Sequence, residues 1–398
     1  MTSSNWYVFA GGGTGGHLFP AMSVADSLRR QSASADVSFF CTQRAIDRQI
    51  LDPAGIEAIP QVVLPFPAKP WLWPKFLLRW HQAVRFCMQR FTQRRPAVVV
   101  GAGGYASGPP VEAASRMGIP IYLLNPDAVP GRANQHMAAK GKVRGVFAQW
   151  EVTRRYFPAS VDVQVAGCPV RQTFREVGNA PIGPMRESFG LEVDRPTLLV
   201  TGASQGARTV NEAMLSLAGA VAAAGWQVLH LSGQADAERV QRAYTAGGVG
   251  LHYRVLAFTD RMPEAMAASD LIISRAGAST LSEIQALGKP SILFPYPYHR
   301  DQHQRHNAAV LADAGAAILL DDTKEAVSNA AQLGPVLALL MGDAERRAAM
   351  ARAARSLDKP DSADRIAAHL LETGASGQKC GCEKSCCCSS QVRATKDI

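Results

Sequence analysis

Short runs of β-branched and aromatic residues recur along the chain, each followed by a stretch whose apolar positions fall at helical spacing. In the first half they are 6–10 (WYVFA), 37–41 (VSFFC), 97–100 (AVVV), 121–124 (IYLL), 145–148 (GVFA) and 163–166 (VQVA). In the second half they are 197–200 (TLLV), 227–231 (QVLHL), 251–256 (LHYRVL), 271–274 (LIIS), 291–294 (SILF) and 316–320 (AAILL). Near-continuous apolar strands, rather than alternating ones, are buried on both faces, and the helices between them provide the cover. The pattern predicts an α/β protein of two doubly wound parallel sheets. Glycine and proline punctuate the chain at 167–171 (GCPVR), which sets the expected domains at 1–169 and 170–352. Residues 343–372 read as an Ala-rich helix. Beyond Gly374 large apolar side chains almost vanish, so 374–398 is expected to be a disordered, cysteine-rich tail.

Several strands run straight into glycine loops. The first is GGGTGGH (11–17), with Gly13, Thr14, Gly15 and Gly16 ahead of His17. Such a turn lets backbone amides approach a phosphate or sugar, and the helix behind it adds a positive end. The spacing is not that of a dinucleotide fingerprint, and no acidic residue closes the second strand. His17 is the titratable side chain of the loop and is placed to take a proton from a hydroxyl. GAGGYASGPP (101–110), with Gly103, Gly104 and Tyr105, follows the third run, and GASQGA (202–207), with Ser204 and Gln205, follows TLLV. Each alone is a weak signal. Three on two domains place several amide nests around one cleft.

SRAGASTLSE (274–283) follows LIIS and admits two readings. Thr280 and Glu283 have the spacing of a capping box, which needs no ligand. Alternatively, the Glu283 carboxylate accepts from the hydroxyls of a ribose. In HRDQHQRHNA (299–308), His299, His303 and His306 fall at i, i+4, i+7. No Cys accompanies them and no carboxylate outside the segment is evident as a further partner, so Asp301 and Gln304 as sugar-hydroxyl ligands are preferred to a metal site.

Hydrophobic residues make up 47% and charged residues 19%, the balance of a folded globular protein. No apolar run approaches the ~20 residues of a spanning helix, and the N-terminus lacks the basic and apolar regions of a secretory signal, so a cytoplasmic location is expected. The net charge of +9 lies wholly in the first half: residues 1–165 carry 18 basic and 9 acidic side chains, the remainder 24 of each. An anionic partner for the first domain is implied. Its focus is 69–95, with seven basic residues and no acidic one. Trp73, Phe76, Leu77, Trp80, Val84, Cys87, Met88 and Phe91 follow one helix face there. That face packs on the sheet, or the segment with Trp71, Lys75, Arg79 and Arg85 docks on anionic lipid. Peptide or nucleic-acid binding fits the charge equally well, but no RNA-binding motif is present, so lipid ranks first. Five of the eight cysteines lie in the last 19 residues, which is no disulfide framework.

The order GGGTGGHLFPAMSVADSL, GAGGYASGPP, PGRAN, GCPVR, GASQGAR, RAGASTLSE and D-x-x-Q-x-x-NA resembles the MurG family of UDP-N-acetylglucosamine transferases of peptidoglycan synthesis, over residues 6–372. The resemblance implies a GT-B fold, two Rossmann-like domains with the site in the cleft between them. It also implies a C-terminal helix, about 353–373, that returns to the first domain. The implied reaction is inverting transfer of GlcNAc from UDP-GlcNAc to the 4-hydroxyl of MurNAc in a polyprenyl-diphosphate-linked muropeptide, on the cytoplasmic face of the plasma membrane. His17 matches the base. Arg171, Ser204 and Gln205 match diphosphate and sugar contacts, and Glu283 matches the ribose carboxylate. Gln304 matches a GlcNAc ligand, and Phe258 and Thr259 lie where the family holds uracil. Thr14, Gly15, Gly16, Asp127, Arg275, Ser279 and Thr280 join the donor set. Gly13, Gly103, Gly104 and Tyr105 face the acceptor. No D-x-D motif appears, so neither metal nor cofactor is expected.

This chain departs from the family at Leu124-Asn125-Pro126-Asp127, where a His-Glu-Gln-Asn quartet is usual, and Asp127 is expected to accept a sugar hydroxyl in place of the Asn. Cys168 replaces an Asn, and His303 a Gln. The altered quartet keeps open a different lipid acceptor, such as diacylglycerol, or a sugar-nucleotide-binding membrane protein without catalysis.

Overall fold

Thirteen strands form two parallel sheets in the computed structural model, which describes residues 5–383 apart from 14, 68, 203–205, 248–249, 251 and 300. The first sheet contains β1 (Trp6–Gly11), β2 (Asp36–Cys41), β3 (Glu57–Pro60), β4 (Val98–Gly103), β5 (Ile121–Asn125), β6 (Gly145–Ala148) and β7 (Asp162–Val165), in the order β3-β2-β1-β4-β5-β6-β7. The second contains β8 (Thr197–Thr201), β9 (Gln227–Leu231), β10 (Tyr253–Leu256), β11 (Leu271–Ser274), β12 (Ser291–Leu293) and β13 (Ala317–Leu319), in the order β10-β9-β8-β11-β12-β13. Twelve of the strands coincide with the apolar runs of the sequence. The edge strand β3 does not: only Ile59 of it is buried, so it carries no hydrophobic pattern. In each sheet the strand order reverses between the first and fourth strands, β1/β4 and β8/β11. Ligands of open α/β sheets bind at the carboxyl ends of strands at such a reversal. All four glycine-bearing loops, after β1, β4, β8 and β11, therefore sit where the topology opens a crevice.

The two faces of the first sheet bury different sets of residues. Tyr7, Phe9, Val37, Phe39, Val98 and Val100 face the helix Gly15–Gln31 and, beside it, Ile366, Ala367 and Leu370 near the C-terminus. Trp6, Val8, Ala10, Phe40 and Val99 face Val84, Cys87 and Phe91 of the helix Trp73–Gln93. Each large apolar side chain fully buried in these layers contributes about 1.5–3 kcal/mol.

The single C-terminal helix expected over about 353–373 is two helices. Ala344–Ser356 belongs to the second domain, where Met350 and Ala354 are buried. The chain then crosses between domains at 357–361, and Ser362–Glu383 runs back along the helix Gly15–Gln31. Pro360 ends helical geometry for the residue before it, which explains the break. The crossing is anchored by an Arg175–Asp358 ion pair and by Lys359 Nζ donating to the Val165 carbonyl at 2.7 Å. The returning helix is held by Ser27 on Asp364 and by the Tyr122 hydroxyl, 3.0 Å from both His369 Nε2 and Thr373 Oγ1. It does not stop at Gly374. A Cβ there would lie 2.7 Å from the Tyr7 hydroxyl, so the glycine permits close packing of the helix rather than starting a tail. Residues 384–398, with Cys386, Cys387 and Cys388, lie outside the described residues.

The helix Trp73–Gln93 divides along its length. Its second half supplies the buried Ala83, Val84, Cys87 and Phe91. Its first half leaves the sheet, and Phe66, Trp71, Leu72, Trp73, Leu77 and Leu78 are exposed, Trp71 by 71%. Phe66 gathers the group, with ring centroids 5.6 Å from Trp73 and 5.3 Å from Phe76. Lys75 and, further along the same helix, Arg85 are exposed, and Arg79 is half-buried. Trp80, expected in the same patch, packs inward instead: its ring tip lies where a Cβ on Gly108 would sit, 2.6 Å away. No helix among the described residues is long and apolar enough to cross a membrane.

Candidate active site

The loop after β1 is fixed by a residue that sequence reading passed over. Asp47 is fully buried, and its carboxylate accepts from Gly13 N (2.7 Å), Thr42 N (2.8 Å) and Thr42 Oγ1 (2.6 Å). A Cβ on Gly12 would stand 2.4 Å from that carboxylate. Arg44 Nη1 donates to the Gly13 carbonyl at 2.9 Å. The Gly13 amide, expected to face an acceptor, is therefore committed to Asp47. Tyr105 borders the same glycine, its ring 4.0 Å from where a Gly13 Cβ would sit. Thr14 lies outside the described residues.

His17 stands on the first turn of the helix Gly15–Gln31, half-buried under the loop after β4. Gly103 and Gly104 have φ of +103° and +73°. A Cβ on Gly103 would approach His17 Cδ2 to 2.9 Å, and one on Gly104 would approach Cε1 to 3.3 Å. These two glycines seat the imidazole. Burial holds the His17 pKa below the ordinary histidine value, opposed in order by the Asp127 carboxylate, a bond to the Gly12 backbone and Asp47. Burial thus favours the neutral form of the ring.

Across the cleft, the helix Ala278–Leu287 follows β11 and is capped by Gly277 without a side-chain bond. Thr280 is its third residue and Glu283 lies in its second turn, so no capping box forms. Glu283 instead faces Arg171, with Nη2 to Oε1 at 3.4 Å. Burial pushes the Glu283 carboxyl up to about 7 against the lowering effect of Arg171. The Arg171 guanidinium lies between two rings, 4.4 Å from the Phe19 centroid and 5.0 Å from that of Phe174. Ser279 Oγ donates to the Gly16 carbonyl at 3.2 Å, closing the two helix N-termini on each other. Ser204 and Gln205 lie outside the described residues.

The remaining expected residues divide. Gln304 Oε1 accepts from Tyr296 N (2.9 Å) and Ala276 N (3.2 Å), which joins the loops after β11 and β12. Arg275, expected in the donor set, is engaged within the second domain. It is buried, pairs with Asp322 at 2.8 Å and donates to the carbonyls of Phe294 and Pro295. Asp127 is also engaged: Asn307, a second-domain residue, donates to its carboxylate at 2.8 Å and accepts from Ala128 N at 2.8 Å. His303 extends this seam, with Nδ1 2.8 Å from the Val129 carbonyl and Nε2 2.8 Å from Asp301. The helix begins at His303, so His299 does not share a helix face with it. No group of three or more metal-ligating side chains occurs among the described residues. Phe258 is exposed and Thr259 buried, beside a cavity of about 580 Å³ that Phe189, Arg254 and Arg261 also line. Cys168, at the domain join, is buried with its thiol pushed up to about 12 by burial.

Two switch-point crevices joined by the Ser279–Gly16 and Arg171–Phe19 contacts, with a half-buried histidine in the first domain and an arginine–carboxylate pair in the second, are the arrangement of a two-domain glycosyltransferase. Family models agree: residues 7–143 match the glycosyltransferase family 28 N-terminal domain and 197–366 the family 28 C-terminal domain. The UDP-N-acetylglucosamine–N-acetylmuramyl-(pentapeptide) pyrophosphoryl-undecaprenol N-acetylglucosamine transferase of Leifsonia xyli is 38% identical, over 93% of this chain and 99% of its own length. The protein of the same name from Chlorobaculum parvum is 36% identical, over 92% and 98%. The crystal structure of Acinetobacter baumannii MurG superposes with a TM-score of 0.71 at 26% identity, covering 92% of this chain and 99% of that one. A UDP-GlcNAc 2-epimerase from Neisseria meningitidis shares the fold alone, with a TM-score of 0.66 at 16% identity over 92% and 100%. The chain belongs to the MurG family of glycosyltransferases.

Proposed function

We propose that this protein transfers GlcNAc from UDP-GlcNAc to the MurNAc 4-hydroxyl of undecaprenyl-diphosphate-linked MurNAc-pentapeptide, with inversion. The observation that carries the reading is His17, seated by Gly103 and Gly104 on the helix whose Phe19 ring packs against Arg171, the partner of Glu283. The acceptor hydroxyl attacks the anomeric carbon, the C–O bond to UDP breaks, and His17 takes the hydroxyl proton. Arg171 and the loop after β8 meet the charge that develops on the leaving diphosphate. Glu283 accepts from the ribose hydroxyls and the Gln304 amide donates to the sugar. Neither metal nor cofactor enters this scheme. Closure of the two domains excludes water and limits donor hydrolysis.

The test is a transfer assay with labelled UDP-GlcNAc and lipid-linked MurNAc-pentapeptide diphosphate. A disaccharide product is expected. Donor binding without product on this acceptor would sink the reading. Product on diacylglycerol instead would transfer it to the alternative that the altered Leu124–Asp127 segment motivates.

Glu283 adds a pH signature. A carboxyl raised to about 7 is ionised above that value and protonated below it. UDP-GlcNAc affinity should therefore weaken as pH falls through about 7, and Glu283→Gln should bind weakly at every pH. Titrations of both proteins at several pH values check this, and parallel profiles would remove Glu283 from the ribose site.

The protein acts at the cytoplasmic face of the plasma membrane in this reading, bound peripherally through the exposed aromatic group. Trp71 and Trp73 bury their rings at the headgroup level while Lys75 and Arg85 meet anionic lipid, and nucleic acid is no partner. Trp71→Ser with Trp73→Ser should abolish most co-sedimentation with anionic phospholipid vesicles while leaving UDP-GlcNAc binding intact. Unchanged vesicle binding would place the membrane contact elsewhere.

A further inference from the structure

Phe19 takes no part in the chemistry above, yet it joins the two halves of the cleft. Its ring lies against Gly15, where a Cβ would be 2.7 Å from Phe19 Cε2. The same ring carries the Arg171 guanidinium at 4.4 Å. Phe19 belongs to the first domain. Arg171 caps the helix Gln172–Val177, whose Phe174 is buried in the core of the second.

The contacts of Arg171 show what holds it. Its side chain is 28% exposed, and its bond to Glu283 is long, at 3.4 Å. Nε is buried with no hydrogen-bond partner among the described residues. A buried N–H without an acceptor is costly, and here it points to an acceptor that arrives with a ligand. Until then the guanidinium is held by two rings more than by hydrogen bonds. A planar, weakly hydrated cation suits that environment, and an ammonium does not.

We propose that Phe19 is a positioning residue for donor binding: its ring, seated on Gly15, holds the Arg171 guanidinium in the cleft while that group exchanges Glu283 for the donor diphosphate. The ribose then takes the place of Arg171 at Glu283. This rests on the reading of Arg171 as a diphosphate ligand. It makes donor affinity depend on a first-domain side chain that touches no part of the donor. It also gives Gly15 a reason to be glycine that has nothing to do with a free amide.

The experiment is calorimetric titration of the full chain with UDP-GlcNAc, for wild type, Phe19→Leu, Phe19→Trp, Arg171→Ala and the Phe19→Leu/Arg171→Ala double variant. Phe19→Leu should weaken binding about fivefold, the scale of a partly desolvated cation–π contact, and Phe19→Trp should restore it. In the Arg171→Ala background the leucine should add nothing. An unchanged Kd for Phe19→Leu, or the same factor in both backgrounds, overturns the proposal, since a merely structural ring would act independently of Arg171. Weakened binding in Arg171→Ala with none in Phe19→Leu sinks the proposal alone. Unchanged binding in Arg171→Ala sinks the diphosphate assignment and the proposal with it. If Phe19→Leu does not fold, Arg171→Lys carries the test: it keeps the charge and loses the stack, and wild-type affinity there is equally fatal.

Discussion

Replacing His17 by alanine should lower kcat by a factor of about 10² to 10⁴, the range of general-base catalysis, and leave UDP-GlcNAc affinity unchanged. The asymmetry follows from position. His17 is seated by Gly103 and Gly104 of the first domain, and the proposed donor ligands Arg171 and Glu283 belong to the second. The pH profile makes the same assignment independently. Burial lowers the histidine pKa, so the imidazole stays neutral to a lower pH than a solvated one. The acid limb of kcat/KM should rise through a midpoint below the ordinary value of 6.5 and should be absent from the residual activity of the variant. Stopped-assay kinetics with isothermal titration of donor decide it. Equal losses of turnover and donor binding would remove His17 from the role of base.

Asp47→Ala should cost about 3–5 kcal/mol of stability, because it leaves buried donors without an acceptor. The carboxylate holds Gly13 N, Thr42 N and Thr42 Oγ1 at once. Denaturant unfolding measures the loss. Turnover of any folded fraction should fall as well, since Gly12 and Gly13 set the entry of the helix that carries His17. Asp47→Asn keeps the shape and one acceptor oxygen and should fall between the two. Wild-type stability in the alanine variant would show that the loop is held by Arg44 and the glycines alone.

Much of this was legible in the chain. Most of the strands are buried on both faces and must be apolar throughout, and the partly exposed β7, β10 and β13 still carry enough β-branched and apolar residues to be read with them, twelve in all. Glycine loops after them marked both crevices, and His17 stood out as the titratable group in the first. Short-range spacing misled elsewhere. Thr280 and Glu283 have capping-box spacing, but the helix starts at Ala278 and the box never forms. Arg275 joins the donor set by resemblance, but its guanidinium pairs with Asp322, distant in sequence. Trp80 lies in the aromatic run and still packs inward, because Gly108 opens a place for its ring.

What the sequence determined by itself is therefore local: periodicity sets the elements, and glycine sets the turns, because both depend on neighbouring residues. What only the tertiary structure decided is partnership. Asp47 is one polar residue after β2 until the chain brings Gly13 to it, and Asn307 is one amide on a helix until it meets Asp127 and Ala128 across the domain seam. Phe19 is one aromatic side chain behind a glycine loop until Arg171 lies over its ring. A hydrogen bond or a stacked cation depends on position to within an ångström, and residues far apart in the chain acquire such positions only when both sheets have formed and the domains have closed on each other.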